Sequence, residues 1–127
     1  MSKRIVRTEE APEAIGPYSQ GVVADGFVYT AGQLALDPKT GQLVPGDVRI
    51  QTKRVMENIK AILESAGTTL ANVVKTTVFL RDMNDFGAMN EIYGSYFQEN
   101  PPVRSTFQVA KLPRDGAVEI EVVALLK

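Results

Sequence analysis

The sequence predicts an α+β fold, a mixed β-sheet with two helices packed on one of its faces. Three observations carry that expectation. Apolar residues recur at helical spacing in two stretches, residues 48–66 and 86–97. Runs with strand composition surround them, giving the order strand, hairpin, helix, strand, helix, strand, strand. That order contains two strand-helix-strand crossovers, and because such crossovers are right-handed, both helices go to the same face.

Residues 3–7 alternate and form a first short strand; residues 8–15, with Pro12, form a loop. Gly16-Pro17 bends the chain and sets Tyr18 either on the core or over a cleft. Asp25-Gly26 between two β-rich runs is the signal of a type I′ hairpin. Its second strand delivers the chain into Gly32, where a missing side chain permits close approach or a simple bulge. Turns at Asp37-Pro38 and Pro45-Gly46 precede Asp47, an N-cap for a helix over 48–66 that Gly67 stops. In that helix Val55, Ile59, Ile62, Leu63 and Ala66 form the apolar stripe, with Gln51, Lys53, Arg54, Glu57, Lys60 and Glu64 largely opposite. The β-branched run 73–80 is a central strand. An aromatic stripe of Phe86, Met89, Ile92, Tyr93, Tyr96 and Phe97 makes the second helix, read as core, with Asn90 beside it. After Pro101-Pro102 a strand begins, and a turn at 113–116 leads to the last strand, 118–126. Large apolar residues among Val22, Val28, Val78, Phe79, Phe107, Val123 and Leu125 fall on the helix-free face by alternation, which predicts that another copy of the chain covers it.

The chain's 127 residues suit a single domain, 1–127, with one core. Fourteen Lys and Arg against fifteen Asp and Glu leave a net charge of -1, so no bulk attraction draws nucleic acid or an anionic membrane surface. Residues 1–10 hold no apolar run for a signal peptide or a membrane span, and a cytoplasmic location is expected. The chain has no Cys, no His and no Trp. Disulfides, thiol nucleophiles and histidine-based triads are therefore absent, and chemistry falls to carboxylates, Arg, Lys, Tyr, hydroxyls and backbone groups.

Arg104 and Thr106, two apart on one strand, share a face and offer a guanidinium fork plus a hydroxyl. A solvated edge charge is the plain alternative. Glu119 sits mid-strand among apolar residues, with Glu121 on its face, where a carboxylate is costly to bury unless paired. A short turn joins the two strands, so Arg104 and Glu119 are expected on adjacent antiparallel strands of one hairpin. There they either form a cross-strand ion pair or share a pocket, walled by Tyr18 and Gly32, in which Arg104 holds a carboxylate and Glu119 handles a proton or orients a water.

The motifs Ile15-Gly16-Pro17-Tyr18-Ser19-Gln20, Thr30-Ala31-Gly32-Gln33, Val74-Lys75-Thr76-Thr77-Val78-Phe79-Leu80, Pro102-Val103-Arg104-Ser105-Thr106 and Val118-Glu119-Ile120-Glu121 resemble those of the RidA (YjgF/YER057c/UK114) family, from about residue 3 to the C-terminus. The resemblance implies a chorismate-mutase-like homotrimer with clefts between subunits. It also implies hydrolytic deamination of 2-aminoacrylate or 2-aminocrotonate, as their imine tautomers, to 2-oxo acids and ammonia, with no cofactor or metal. On the same resemblance Arg104 clamps the substrate carboxylate and Glu119 positions the attacking water, while Tyr18, the Gly32 N–H, Asn90 and Thr106 contact the ligand. Two positions depart from the pattern: many relatives carry Cys where this chain has Thr106 and Ser where it has Ala31. The alternative in another class is a trimeric protein that binds small 2-oxo acids without turnover. Nucleic-acid cleavage, suggested for some relatives, suits neither the net charge nor the lack of histidine.

Overall fold

The structure, a computed structural model, describes residues 2–127. Its strands are β1 (Arg4–Val6), β2 (Gly21–Ala24), β3 (Phe27–Thr30), β4 (Val73–Leu80), β5 (Val103–Gln108) and β6 (Val118–Leu125); its helices are α1 (Val48–Ala66) and α2 (Phe86–Tyr96). The strands form one six-stranded mixed sheet in the order β1-β2-β3-β6-β4-β5. No helix among the described residues is long and apolar enough to cross a membrane.

Local signals decide the elements where they are strongest. Asp25 and Gly26 both take positive φ, 52° and 81°, as a type I′ turn requires, and pair β2 with β3 through Val23↔Val28. Asp47 caps α1, its carboxylate accepting from the Ile50 N–H at 3.1 Å, and Gly67 ends it in the left-handed conformation at φ 103°. The α1 stripe of Val55, Met56, Ile59, Ile62 and Leu63 is fully buried against the sheet. Each such side chain contributes roughly 1.5–3 kcal/mol over exposure. Gln51, expected among the polar positions, lies instead in the core at 5% exposure. It is tolerated there because its Oε1 accepts from the buried Ala117 N–H at 2.9 Å, so that backbone donor is paired.

Both helices cover one face, as predicted. Arg49 on α1 bonds Glu91 on α2 at 3.1 Å, Tyr96 on α2 donates to Glu57 at 2.8 Å, and Met89, Tyr93 and Phe97 join the α1 residues in one core. Ile92, Phe86 and Tyr96 are only half-buried, so the aromatic stripe is core along one edge and surface along the other.

The predicted β5-β6 hairpin does not form. β5 pairs with β4 in parallel, Thr76↔Arg104, and β6 pairs with the other edge of β4 antiparallel, Phe79↔Glu119. Residues 109–117 carry the chain across the end of β4, where the Ala117 carbonyl accepts from Arg81 N–H and Val109 N–H donates to Leu80. Burial explains the choice. Val118, Ile120, Val122 and Ala124 are at most 2% exposed beneath the helices, which only an interior strand achieves; β5, with no fully buried residue, suits the edge.

Candidate functional site

Pairing across the sheet fixes which side chains share a face. Arg104 stands opposite Thr76, which is buried on the helix side and bonded to the Tyr93 hydroxyl of α2. Glu119 stands opposite Phe79, itself paired with Phe107, on the helix-free side. The two residues expected to share a pocket therefore lie on opposite faces of the same sheet, which follows from β4 standing between their strands.

On the helix face, Arg104 is half-buried and lies over two aromatic rings, its guanidinium carbon 4.8 Å from the Tyr93 centroid and 5.3 Å from that of Phe86. Its Nη1 donates to Asn90 Oδ1 at 2.6 Å. Among the described residues the ion pairs join Arg49 to Glu91 and Arg81 to Asp115, so no carboxylate of the chain neutralises Arg104. A guanidinium fork held this way, with one neutral acceptor and donors to spare, is preorganised for an anion. Burial pushes the Tyr93 hydroxyl above its ordinary value, against the Thr76 bond and the Arg104 charge that lower it, and it stays neutral. Thr106 lies on the same face as Arg104, but its Oγ1 is enclosed without a hydrogen-bond partner. An unmet buried hydroxyl costs about 1–3 kcal/mol, so Thr106 is a donor still without its partner on the Arg104 face.

On the other face, Glu119 is half-buried and packs on Gly32. Gly32 is held there because Gln33 and Ile120 exchange two backbone hydrogen bonds, at 2.8 and 3.2 Å, and because Asn58 of α1 donates to the Leu34 and Leu36 carbonyls. The Gly32 N–H has no acceptor among the described residues. Desolvation raises the Glu119 carboxyl above the usual carboxylate range, and the Glu121 charge beside it adds to the rise. A Cβ on Gly32 would overlap Glu119 Oε2 and come within 3.0 Å of Cδ. Gly32→Ala is thus expected to turn the carboxylate away and let its titration fall back toward the ordinary carboxylate range, with little loss of thermal stability; an unmoved titration would show that Glu119 does not depend on the bare Gly32.

Tyr18, 54% exposed, is not packed on the core. It lines a groove of about 530 Å³ with Arg7, Thr8, Ser19 and Gln20. Gln20 builds that loop: its Oε1 accepts from Thr8 N–H at 2.7 Å, and its Nε2 donates to the Thr8 and Pro12 carbonyls. Neither Arg104 nor Glu119 lines this groove. The chain thus carries the candidate residues as separate sets, Arg104-Asn90-Thr106 on one face, Glu119-Gly32 on the other, and Tyr18 on a groove of its own. Phe86 and Tyr93, which seat the guanidinium, escaped sequence reasoning because helical periodicity marks them as core and says nothing of the strand they cover.

The family model described as Endoribonuclease L-PSP matches residues 8–126. A RutC family protein of Pyrococcus abyssi is 52% identical over 98% of each chain. A Mus musculus protein named 2-iminobutanoate/2-iminopropanoate deaminase is 53% identical over 97% of this chain and 91% of its own. Among solved structures, E. coli TdcF with bound serine superposes with a TM-score of 0.92 at 45% identity, covering 96% of this chain and 98% of that one. A Yersinia pestis protein of the Rid family, YyfA, reaches a TM-score of 0.95 at 45% identity over 98% of this chain and 99% of its own. With the sheet order, the helix placement and these matches in agreement, the chain belongs to the endoribonuclease L-PSP family, the YjgF/RidA group that its motifs resemble.

Proposed function

We propose that this protein hydrolyses the imine tautomers of 2-aminoacrylate and 2-aminocrotonate to 2-oxo acids and ammonia, in clefts between the subunits of a homotrimer. The observation that carries the reading is the Arg104 guanidinium, seated on Tyr93 and Phe86 and paired with no carboxylate of the chain. Deaminase relatives at 50–53% identity and a TdcF relative with bound serine support a small carboxylate ligand. The separation of Arg104 from Glu119 by the sheet supports a shared cleft. So does the helix-free face, where Val103 is 68% exposed, Phe107 52% and Tyr29 45%, an apolar surface that a second copy would cover.

In the reaction, Arg104 binds the substrate carboxylate and so fixes C2, the iminium carbon. Glu119 from another copy takes a proton from water as the oxygen bonds to C2, giving a carbinolamine. The same proton passes to nitrogen, the C–N bond breaks, and ammonia leaves as the hydroxyl becomes the carbonyl of the 2-oxo acid. An iminium carbon is already electrophilic, so proximity and orientation supply most of the acceleration, with Asn90, Thr106, Tyr18 and the Gly32 N–H as further contacts.

The test is competition. Added to a serine or threonine dehydratase reaction containing semicarbazide, the protein is expected to divert imine to keto acid; an unchanged semicarbazone yield overturns turnover and leaves ligand binding alone. Glu119 adds a pH signature. Its raised value means activity is lost as pH falls through a point above the ordinary carboxylate range. Across the window between its unfolded and folded values the folded chain holds more protons, so stability declines as pH rises through that window. Glu119→Gln is therefore expected to lose turnover and gain melting temperature at pH 7, the gain vanishing below the window. A variant with full turnover removes the proton-handling role.

A further inference from the structure

Behind the Arg104 guanidinium stands Tyr93. Tyr93 is 5% exposed, yet its ring is one of the two surfaces on which Arg104 rests, 4.8 Å from the guanidinium carbon. Its hydroxyl is not free to move: it meets Thr76 Oγ1 at 2.7 Å inside the core, and Thr76 is fully buried on the central strand β4. Tyr93 also packs on the Phe97 ring, centroids 4.8 Å apart and planes tilted by 44°. The ring is therefore held at its tip and against a second aromatic ring. Thr76 is also the strand residue directly opposite Arg104 in the β4-β5 ladder, so backbone and ring reach the same arginine from one residue of the core.

We propose that Tyr93, anchored on Thr76, is a positioning residue that sets the plane of the Arg104 guanidinium, an inference that rests on Arg104 being the carboxylate clamp. A planar fork binds a carboxylate bidentately in one orientation only, so the ring beneath it selects the productive plane. Asn90 fixes one nitrogen of the fork, and two ring faces fix its tilt. The Thr76 bond carries that order down to the sheet, and the Phe97 contact carries it along the helix.

Thr76→Val and Tyr93→Phe each remove the same buried hydrogen bond while keeping the ring. Each is expected to raise KM for the imine by about three- to tenfold with kcat nearly unchanged, the range one hydrogen bond supports, and the double variant to match either single one. Tyr93→Leu removes the ring as well and is expected to raise KM further, with folding checked by circular dichroism; if it does not fold, the two milder variants decide. A merely structural Tyr93 predicts lower melting temperatures with KM unmoved, or effects of the two single changes that add; either overturns the proposal. Rotation of the Arg104 guanidinium about Nε–Cζ, read from ¹⁵N line shapes in the full-length protein, separates this inference from the clamp. If wild type binds but does not turn over, the Kd of 2-oxobutanoate replaces KM. If Arg104→Ala binds and reacts like wild type, the clamp reading fails, and the rotation alone decides: faster rotation in Thr76→Val and Tyr93→Phe upholds positioning, unchanged rotation overturns it.

Discussion

Arg104→Ala is expected to abolish diversion of imine to 2-oxo acid in the dehydratase assay, with kcat/KM reduced by about 100-fold or more. Truncating one partner of a charge-assisted, partly desolvated pair costs about 2–5 kcal/mol, and every 1.4 kcal/mol is tenfold. Lys75, the cation next to Thr76 on the neighbouring strand, points to the opposite face, as its pairing with Val123 beside Thr77↔Glu121 requires, and cannot take over. Arg104→Lys keeps the charge but loses the fork and the planar contact with Tyr93 and Phe86, and an intermediate loss is expected. Arg104→Ala within threefold of wild type would remove the clamp from the mechanism.

The second large effect concerns who supplies each half of the proposed cleft. Arg104 and Glu119 face opposite sides of one sheet, so the proposed reaction requires them from different chains. Arg104→Ala and Glu119→Gln homo-oligomers are each expected to be inactive, and their co-expressed mixture active. With random assembly from equal amounts, about a quarter of the clefts combine an intact arginine with an intact glutamate. The same two changes placed in one chain, mixed with nothing, recover no activity. A mixture as inactive as its parents, or a stable monomer in light scattering, would show that the residues do not cooperate across a subunit boundary.

What the sequence could disclose follows from how far each signal reaches. The Asp25-Gly26 hairpin, the capped helix α1 and the β-branched β4 match expectation closely, because capping, turn chemistry and periodicity act within a few residues. The place of β6 was not legible. Pro113 to Gly116 has the composition of a hairpin turn, yet residues 109–117 span an intervening strand, and pairing partners distant in sequence leave no local mark. The same limit governed the site. Alternation placed Thr106 with Arg104 and Glu121 with Glu119, but whether the two pairs shared a face depended on the sheet order. Gln51 misled for a different reason: a polar residue reads as surface unless its buried partner, here the Ala117 N–H, is known.

The insertion of β6 between β3 and β4 also dictates the order of assembly. Every preceding strand can be synthesised while the sheet still has a gap at its centre, with β1-β2-β3 and β4-β5 as two separate ribbons. Each ribbon then shows an unpaired edge and an uncovered apolar face. Both are relieved by the last strand in chain order, whose Val118, Ile120, Val122 and Ala124 zip the ribbons together beneath the helices. Chains short of residue 118 consequently have no native sheet to close, and folding waits on contacts of long sequence separation.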